Sequence, residues 1–426
     1  MAGETAVPPA REVQGHADEA VAVAGTAARH AAGQLRQIPA DGLDEALRAI
    51  AAQLTVRASA VLAANADDVR AARSDGLADG FVDRLTLDEG RIAAMSDQLH
   101  ALAQVPAEPD SASIRDLPGD LELRERRRPV GVIGANFEAR PNVVVDIASQ
   151  LIKSRNAGVL RTGSSAIRSA TVLIDEVVGP AMTAAGLDPA AIQLLRITGR
   201  DGAFALVRNP RLIPLVILRG SGDTTRSLAR EAAMHGVRTL AHADGGAVIY
   251  LDESADPALA LELVEQSLDR LGVCNRLNLL LVHGSIWGSV LPPLTALAQR
   301  LGIALSLPPH GRPLGHEWAL DSGAEATITI APAASADDAA MIANAETSGL
   351  AASIVTGDAD AARRFLDSYA GTGAFWNVTP RLLDGFKLLS VPETGINIDV
   401  VPGPRGPVTF RDLHLRQYVV TPKAAG

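Results

Sequence analysis

Cysteine and aromatic residues are scarce in this sequence. Its 426 residues include one cysteine, Cys274, and aromatics make up only 3%. A single thiol excludes an internal disulfide and any metal site built from clustered cysteines. The nine histidines are scattered, with no HExxH and no pair at i,i+4 spacing, so no metal is expected. Positive charge is also short: 39 Lys+Arg stand against 49 Asp+Glu, a formal net charge of −10. An acidic chain with few rings lacks the basic stripes and stacking platforms of a general nucleic-acid binder. Long apolar runs are missing too. A bilayer span needs about 20 consecutive apolar residues, and runs such as Ala247 to Leu251 are far shorter. The N-terminal stretch has no basic start, and acidic Asp18-Glu19 precede the small residues Ala20 to Ala28. This does not read as a secretory signal, and a cytoplasmic location with no membrane contact is expected.

The residues that are present point to a folded, multi-domain chain. A hydrophobic fraction of 47% excludes a disordered protein. The length implies roughly two or three domains. Residues 1–15, with Pro8-Pro9 and Gly15, read as a disordered leader. Leu43, Ala46, Leu47, Ile50, Ala51 and Leu54 recur at spacings of three and four, one face of a helix. Thr86 with Glu89 reads as the capping box of a helix reaching Val105. Pro106 to Gly119 reads as a linker before an exposed strand at Leu121 to Arg128. From Pro129 onward, strands and helices alternate, with strands at Pro129 to Gly134, Ala157 to Leu160, Ile192 to Ile197, Ile213 to Leu218 and Arg238 to Ala241. A second such series starts at Ala247. This pattern predicts α/β architecture with parallel sheets. Leu413 to Val420 reads as an edge strand, pairing with Leu121 to Arg128 or with another subunit.

Several clusters bear chemistry. In Gly131 to Asn142 a buried strand runs into a loop holding Glu138, Arg140 and Asn142, just before a helix. Loops at the carboxyl ends of parallel strands are where such folds place ligands. Asn142 there is either a helix cap or part of an oxyanion site. Cys274, in Gly272-Val-Cys-Asn275, is either a small core residue or a nucleophile. Arg161, Ser164 and Ser165 end a strand where a cofactor phosphate or ribose would sit. The loop Gly220-Ser221-Gly222 is an ordinary turn or a close approach to a pyrophosphate. Glu393, in a late loop, holds a ribose or is simply solvated. His242 and Asp244 share a side at a strand end. With no GxSxG serine motif, a hydrolase triad is unsupported.

These clusters share the order and spacing of one family. Leu62-Ala-Ala-Asn-Ala-Asp-Asp-Val69, Asp83-Arg-Leu-Thr-Leu87, Pro129-Val-Gly-Val-Ile-Gly134 and Phe137-Glu-Ala-Arg-Pro-Asn-Val143 carry the resemblance. So do Gly272-Val-Cys-Asn275, Glu393-Thr-Gly-Ile396 and Arg405-Gly-Pro407. The chain resembles the γ-glutamyl phosphate reductases (glutamate-5-semialdehyde dehydrogenases) of the aldehyde dehydrogenase superfamily, from about residue 17 to residue 420. The resemblance implies a Rossmann-type cofactor domain over 16–246, with 386–400 returning to it. It implies a catalytic domain over 247–385 and oligomerisation strands at 114–128 and 401–426. Cys274 would be the nucleophile toward an acyl phosphate, with Asn142 and Asn275 as catalytic partners. Arg140, Glu138 and Arg405 would bind substrate. Arg161, Ser164, Ser165, Gly220, Ser221, Gly222 and Glu393 would line NADP(H). A homo-oligomer, a dimer or tetramer, is expected, with the upstream glutamate kinase as a further partner.

Departures from the family pattern are also present. Leu160-Arg-Thr-Gly-Ser-Ser165 stands where Leu-Arg-Gly-Gly-Ser-Glu is usual. Asn278 replaces a usual glutamate, and Leu350-Ala-Ala352 replaces a His-Thr-acidic segment. The leading reading is reduction of γ-glutamyl phosphate to glutamate 5-semialdehyde in proline biosynthesis. Two others stand beside it: a paralogue acting on a related amino-acyl phosphate, and a catalytically impaired relative that binds the kinase.

Overall fold

The computed structural model describes residues 10–423 except 139, 221, 243–244, 322 and 401–402. Five helices open the chain: α1 (Ala10–Leu35), α2 (Ala40–Val56), α3 (Ala58–Ser74), α4 (Asp79–Leu85) and α5 (Glu89–Gln104). The six apolar residues picked out between Leu43 and Leu54 are the buried face of α2, as their spacing predicted. Helix α1 corrects the expected leader. Residues 10–15 are already helical, and 1–9 lie outside the described residues. Ala17, Val21, Ala24, Ala28, Ala31 and Leu35 make a stripe of small residues that packs into the core, so one helix runs through Gly15. The cap of α5 is Asp88, whose side chain accepts from the Arg91 amide at 2.7 Å. Thr86 instead donates its hydroxyl to the Val82 carbonyl, so the expected capping box is not the one used.

The first sheet takes strands β3 (Val132–Phe137), β4 (Ala157–Thr162), β5 (Ile192–Leu195), β6 (Leu215–Arg219) and β7 (Arg238–His242) in the order β5-β4-β3-β6-β7. All its pairings are parallel. Strand β3 is buried along its whole length, which is why it reads as an unbroken apolar run. Its order reverses at β3, and the loop after β3 leads into α6 (Asn142–Lys153). That is the switch point where open parallel sheets hold ligands.

The second sheet is also parallel. Strands β8 (Ala247–Leu251), β9 (Leu277–His283), β10 (Ala304–Ser306), β11 (Thr327–Ala333), β12 (Ala351–Val355) and β13 (Gly373–Trp376) lie in the order β10-β11-β9-β8-β12-β13. The chain then returns to the first sheet. A short hairpin, β14 (Gly395–Asn397) with β15 (Gly406–Val408), packs on β7. Val391, Val408, Phe410 and Leu413 join the core of the first sheet.

A third sheet stands apart, with order β1-β2-β16. Strand β2 (Leu121–Pro129) pairs antiparallel with β16 (His414–Pro422), so the C-terminal strand closes on its own chain. Strand β1 (Ser111–Leu117) falls inside the segment expected to be a linker. Its middle residues are exposed on both faces, so no alternation marks it in the sequence. No single helix among the described residues is long and apolar enough to cross a membrane.

Candidate active site

The carboxyl ends of β3 and β6 face the turns that precede β8 and β9. Between them lies a cavity of about 230 Å³. Phe81 and Arg84 from α4 line it, with Glu138 and Arg140 from the loop after β3. Arg219 and Gly220 come from the end of β6, Gly245 and Gly272 to Cys274 from the two turns, and Glu317, Ala319 and Leu320 from a short 3-10 turn and the residue before it.

The turn that presents Cys274 is tightly held. Gly272 has φ +75°, the left-handed region that suits glycine. The Gly246 amide donates to the Cys274 carbonyl at 2.7 Å. A Cβ at Gly245 would lie 2.8 Å from the Cys274 carbonyl oxygen and 2.7 Å from Glu317 Oε1, so only glycine fits there.

Cations dominate around the thiol. Burial pushes the Cys274 thiol up, while Arg140, Arg219 and Arg381 pull it down and Glu393 adds to the rise. Burial, then the nearby Arg219, lowers the Arg140 guanidinium to about 10. Acids gather behind this cluster. Burial raises Glu393 to about 7 against the pull of Arg219. Its Oε2 accepts the Gly385 amide at 2.6 Å. Burial likewise raises Asp146 to about 6, with Arg219 again opposing. Asn142 Nδ2 donates to Asp146 Oδ2 at 2.9 Å, so an acid fixes the direction of the asparagine amide. Arg219 thus bears on the thiol, both carboxyls and Arg140. Its side chain runs alongside Gly395, where a Cβ would meet Arg219 Cδ at 3.5 Å, an ordinary van der Waals contact.

A second cavity, of about 380 Å³, shares Phe81 and Glu138 with the first. Ser164, Ser165, Thr224 and Ser227 bring hydroxyls to it, and Arg200 brings a charge at its exposed rim. It covers the carboxyl ends of β4 and β5 and the helix Gly222–His235. A hydroxyl-lined trough at such a helix start suits a dinucleotide.

The residues singled out from the sequence do not all converge. Cys274, Arg140, Glu138 and Gly220 share the first cavity, and Ser164 and Ser165 the second. Arg161 also lines the second cavity, held by Asn136 Oδ1 at 3.0 Å and the carbonyls of Ile197, Thr198 and Gly199. These acceptors are neutral, so they fix the guanidinium in the wall and leave its charge beside the trough. Asn275 points away from the cavity. It donates to the Leu383 carbonyl at 3.0 Å and accepts from Arg381, tying the 381–383 segment behind the thiol. Arg405 is elsewhere, donating to the Ala370 carbonyl at 2.6 Å. Gly222 is buried at the start of its helix. Ser221, and the Ala243-Asp244 part of the His242 cluster, lie outside the described residues.

Four residues gained importance only in the structure. Arg219 was visible as the last residue of β6 before a glycine loop. Arg84 and Asp146 sit on helices, where nothing in their spacing marks them. Glu317 lies in a segment with no periodicity at all.

Comparisons with known proteins place the chain in a family. The aldehyde dehydrogenase family matches residues 8–309. The γ-glutamyl phosphate reductase of Thermobifida fusca is 34% identical over 405 residues, covering 92% of this chain and 95% of that protein. That of Clavibacter michiganensis is also 34% identical over 405 residues, covering 92% of each. The crystal structure of γ-glutamyl phosphate reductase from Thermotoga maritima superposes with a TM-score of 0.84 at 26% identity, covering 95% of this chain and 99% of that one. The chain belongs to the aldehyde dehydrogenase family, in its γ-glutamyl phosphate reductase branch.

Proposed function

We propose that this protein reduces γ-glutamyl phosphate to glutamate 5-semialdehyde and phosphate, the step this branch contributes to proline biosynthesis. The observation that carries the reading is the position of Cys274. The chain's one thiol lines a cavity whose cations suit a phosphate, and that cavity adjoins a hydroxyl-lined trough.

Arg140 and Arg219 hold the phosphoryl group, forming charge-assisted hydrogen bonds. Cys274 Sγ attacks the acyl carbon, the C–O bond to phosphate breaks, and the thiol proton leaves on phosphate. Asn142, aimed by Asp146, donates to the oxygen that becomes negative. The product is a thioester on Cys274. Splitting the reaction this way replaces one difficult step by two easier ones. A nicotinamide cofactor comes with the family, and when bound it supplies hydride. Cys274 then departs as thiolate, the aldehyde forms, and the thiolate regains a proton from solvent. The fit of the second cavity rests on Ser164, Ser165, Thr224 and Ser227 toward phosphate and ribose oxygens. Arg200 at its rim favours NADP(H) over NAD(H), since a 2′-phosphate meets a cation there. Glu393, beside the thiol, takes the nicotinamide ribose.

The reverse assay tests this. Purified protein with glutamate semialdehyde, phosphate and NADP⁺ should form NADPH, faster than with NAD⁺. Cys274→Ala should lose at least about 1,000-fold in rate while still binding NADP⁺. A fully active Cys274→Ala variant would refute the thioester route.

A further inference from the structure

We infer that Glu317 is the residue that recognises the substrate's α-ammonium group, and so restricts this site to amino-acyl phosphates. The inference rests on the reading above and adds a specificity determinant to it.

The first cavity holds three cations and two carboxylates in its wall: Arg84, Arg140 and Arg219 against Glu138 and Glu317. Glu138 stands where the two cavities meet, toward the cofactor side. Glu317 is on the other side, over the turn that carries the nucleophile. Its Oε1 accepts the Gly245 amide at 3.1 Å. A Cβ at Gly245 would lie 2.7 Å from that oxygen and 3.0 Å from Cys274 Cα. The carboxylate oxygen is therefore no farther from the nucleophile's Cα than the sum of those distances. In a γ-glutamyl group the ammonium nitrogen is four bonds from the reacting carbon. A chain bound with that carbon at Sγ places its ammonium within reach of Glu317.

The position of Glu317 is built in. Asn278 Nδ2 donates to the carbonyl of His316 at 2.9 Å, and Asn278 Oδ1 accepts the amide of Trp318 at 3.2 Å. One buried amide side chain thus grips the backbone on both sides of Glu317. The Trp318 indole N–H is fixed in turn on Thr329 Oγ1 at 2.9 Å. Glu317 is thereby fixed at the start of the 3-10 turn Trp318–Leu320.

Arg84 completes the recognition. It feels Glu317 and Glu138 electrostatically, and its Nε is buried with no hydrogen-bond partner. Arg84 also lines the cavity, so its guanidinium offers a cation to the α-carboxylate next to the ammonium. The charges of the cavity then match the substrate one by one: Glu317 to ammonium, Arg84 to carboxylate, Arg140 and Arg219 to phosphate.

Glu317→Gln separates recognition from structure, because glutamine keeps an oxygen for the Gly245 amide and loses only the charge. Two aldehydes are compared in the reverse assay: glutamate semialdehyde, and 5-oxopentanoate, the same chain without the ammonium. The wild type should prefer the first. In the variant kcat/KM for glutamate semialdehyde should fall by roughly 10- to 100-fold, through KM, with 5-oxopentanoate little changed. An equal fall for both aldehydes, or no fall, would overturn the ammonium site while the activity stands. A wild type that turns over neither aldehyde overturns the activity, and this inference with it.

Discussion

Glu393 and Asp146 carry the energetic cost of the active site in single side chains. Both carboxyls are raised by burial, to about 7 and about 6. A carboxyl whose folded value is raised binds its proton more tightly in the folded state. Its charged form therefore opposes folding, fully above the folded value and not at all below the unfolded one. For Glu393 that window runs from about 7 down to the ordinary 4.5. Glu393→Gln removes the charge and keeps the shape. It should stabilise the protein at pH 8 by on the order of 2–3 kcal/mol and by nothing near pH 4, while reducing turnover. Thermal unfolding at the two pH values checks this, and a variant less stable at pH 8 would contradict it. Arg219 sets the balance, because it opposes burial at both carboxyls and at the thiol.

At the scale of elements, two turns must interlock for Cys274 to stand where it does. The turn before β8 donates the Gly246 amide to the Cys274 carbonyl and the Gly245 amide to Glu317 Oε1, with no room for a Cβ at Gly245 beside the same carbonyl. The Glu317 carboxylate could swing aside, but the Cys274 carbonyl oxygen at 2.8 Å and Cα at 3.0 Å are backbone and cannot yield without moving the turn. Gly245→Ala should displace the Cys274 turn and lower kcat/KM by about 100-fold, since a shift near 1 Å at a reacting atom has that effect. The rate of Cys274 alkylation should change in parallel, with far-UV circular dichroism preserved. Wild-type kinetics in this variant would show that the two turns are not coupled. The Asn278 grip also gives a physical sense to one departure from the family pattern. A glutamate at 278 has no N–H to donate to the His316 carbonyl, whereas asparagine bonds both neighbours of Glu317.

At the scale of the whole molecule, the two parallel sheets were legible because strands such as β3, β4, β8 and β12 are fully buried and read as apolar runs between helices. Cys274 was legible because it is the one thiol, in a glycine-led turn. Arg405 and Asn275 misled, because their motifs carry over while their side chains bond to backbone carbonyls away from the cavity. Glu317 and β1 were illegible. Glu317 is placed by a partner about 40 residues away in sequence, Asn278, and β1 is a hairpin strand exposed on both faces, so neither leaves a periodic trace. The third sheet bears on assembly. Strand β16 is an edge, paired on one side by β2 alone. Tyr418 and Val420 share a face of it and are 59% and 51% exposed, with Arg416 stacked on the Tyr418 ring. An exposed edge bearing large apolar side chains invites pairing with another chain, and natural edges carry lysine to prevent this. We propose that a second copy covers this edge. The double substitution Tyr418→Lys with Val420→Lys should then shift the protein from oligomer to monomer in light scattering at micromolar concentration. The fold should persist, because both side chains face solvent within the protomer. An assembly of unchanged mass would place the subunit contact on another surface.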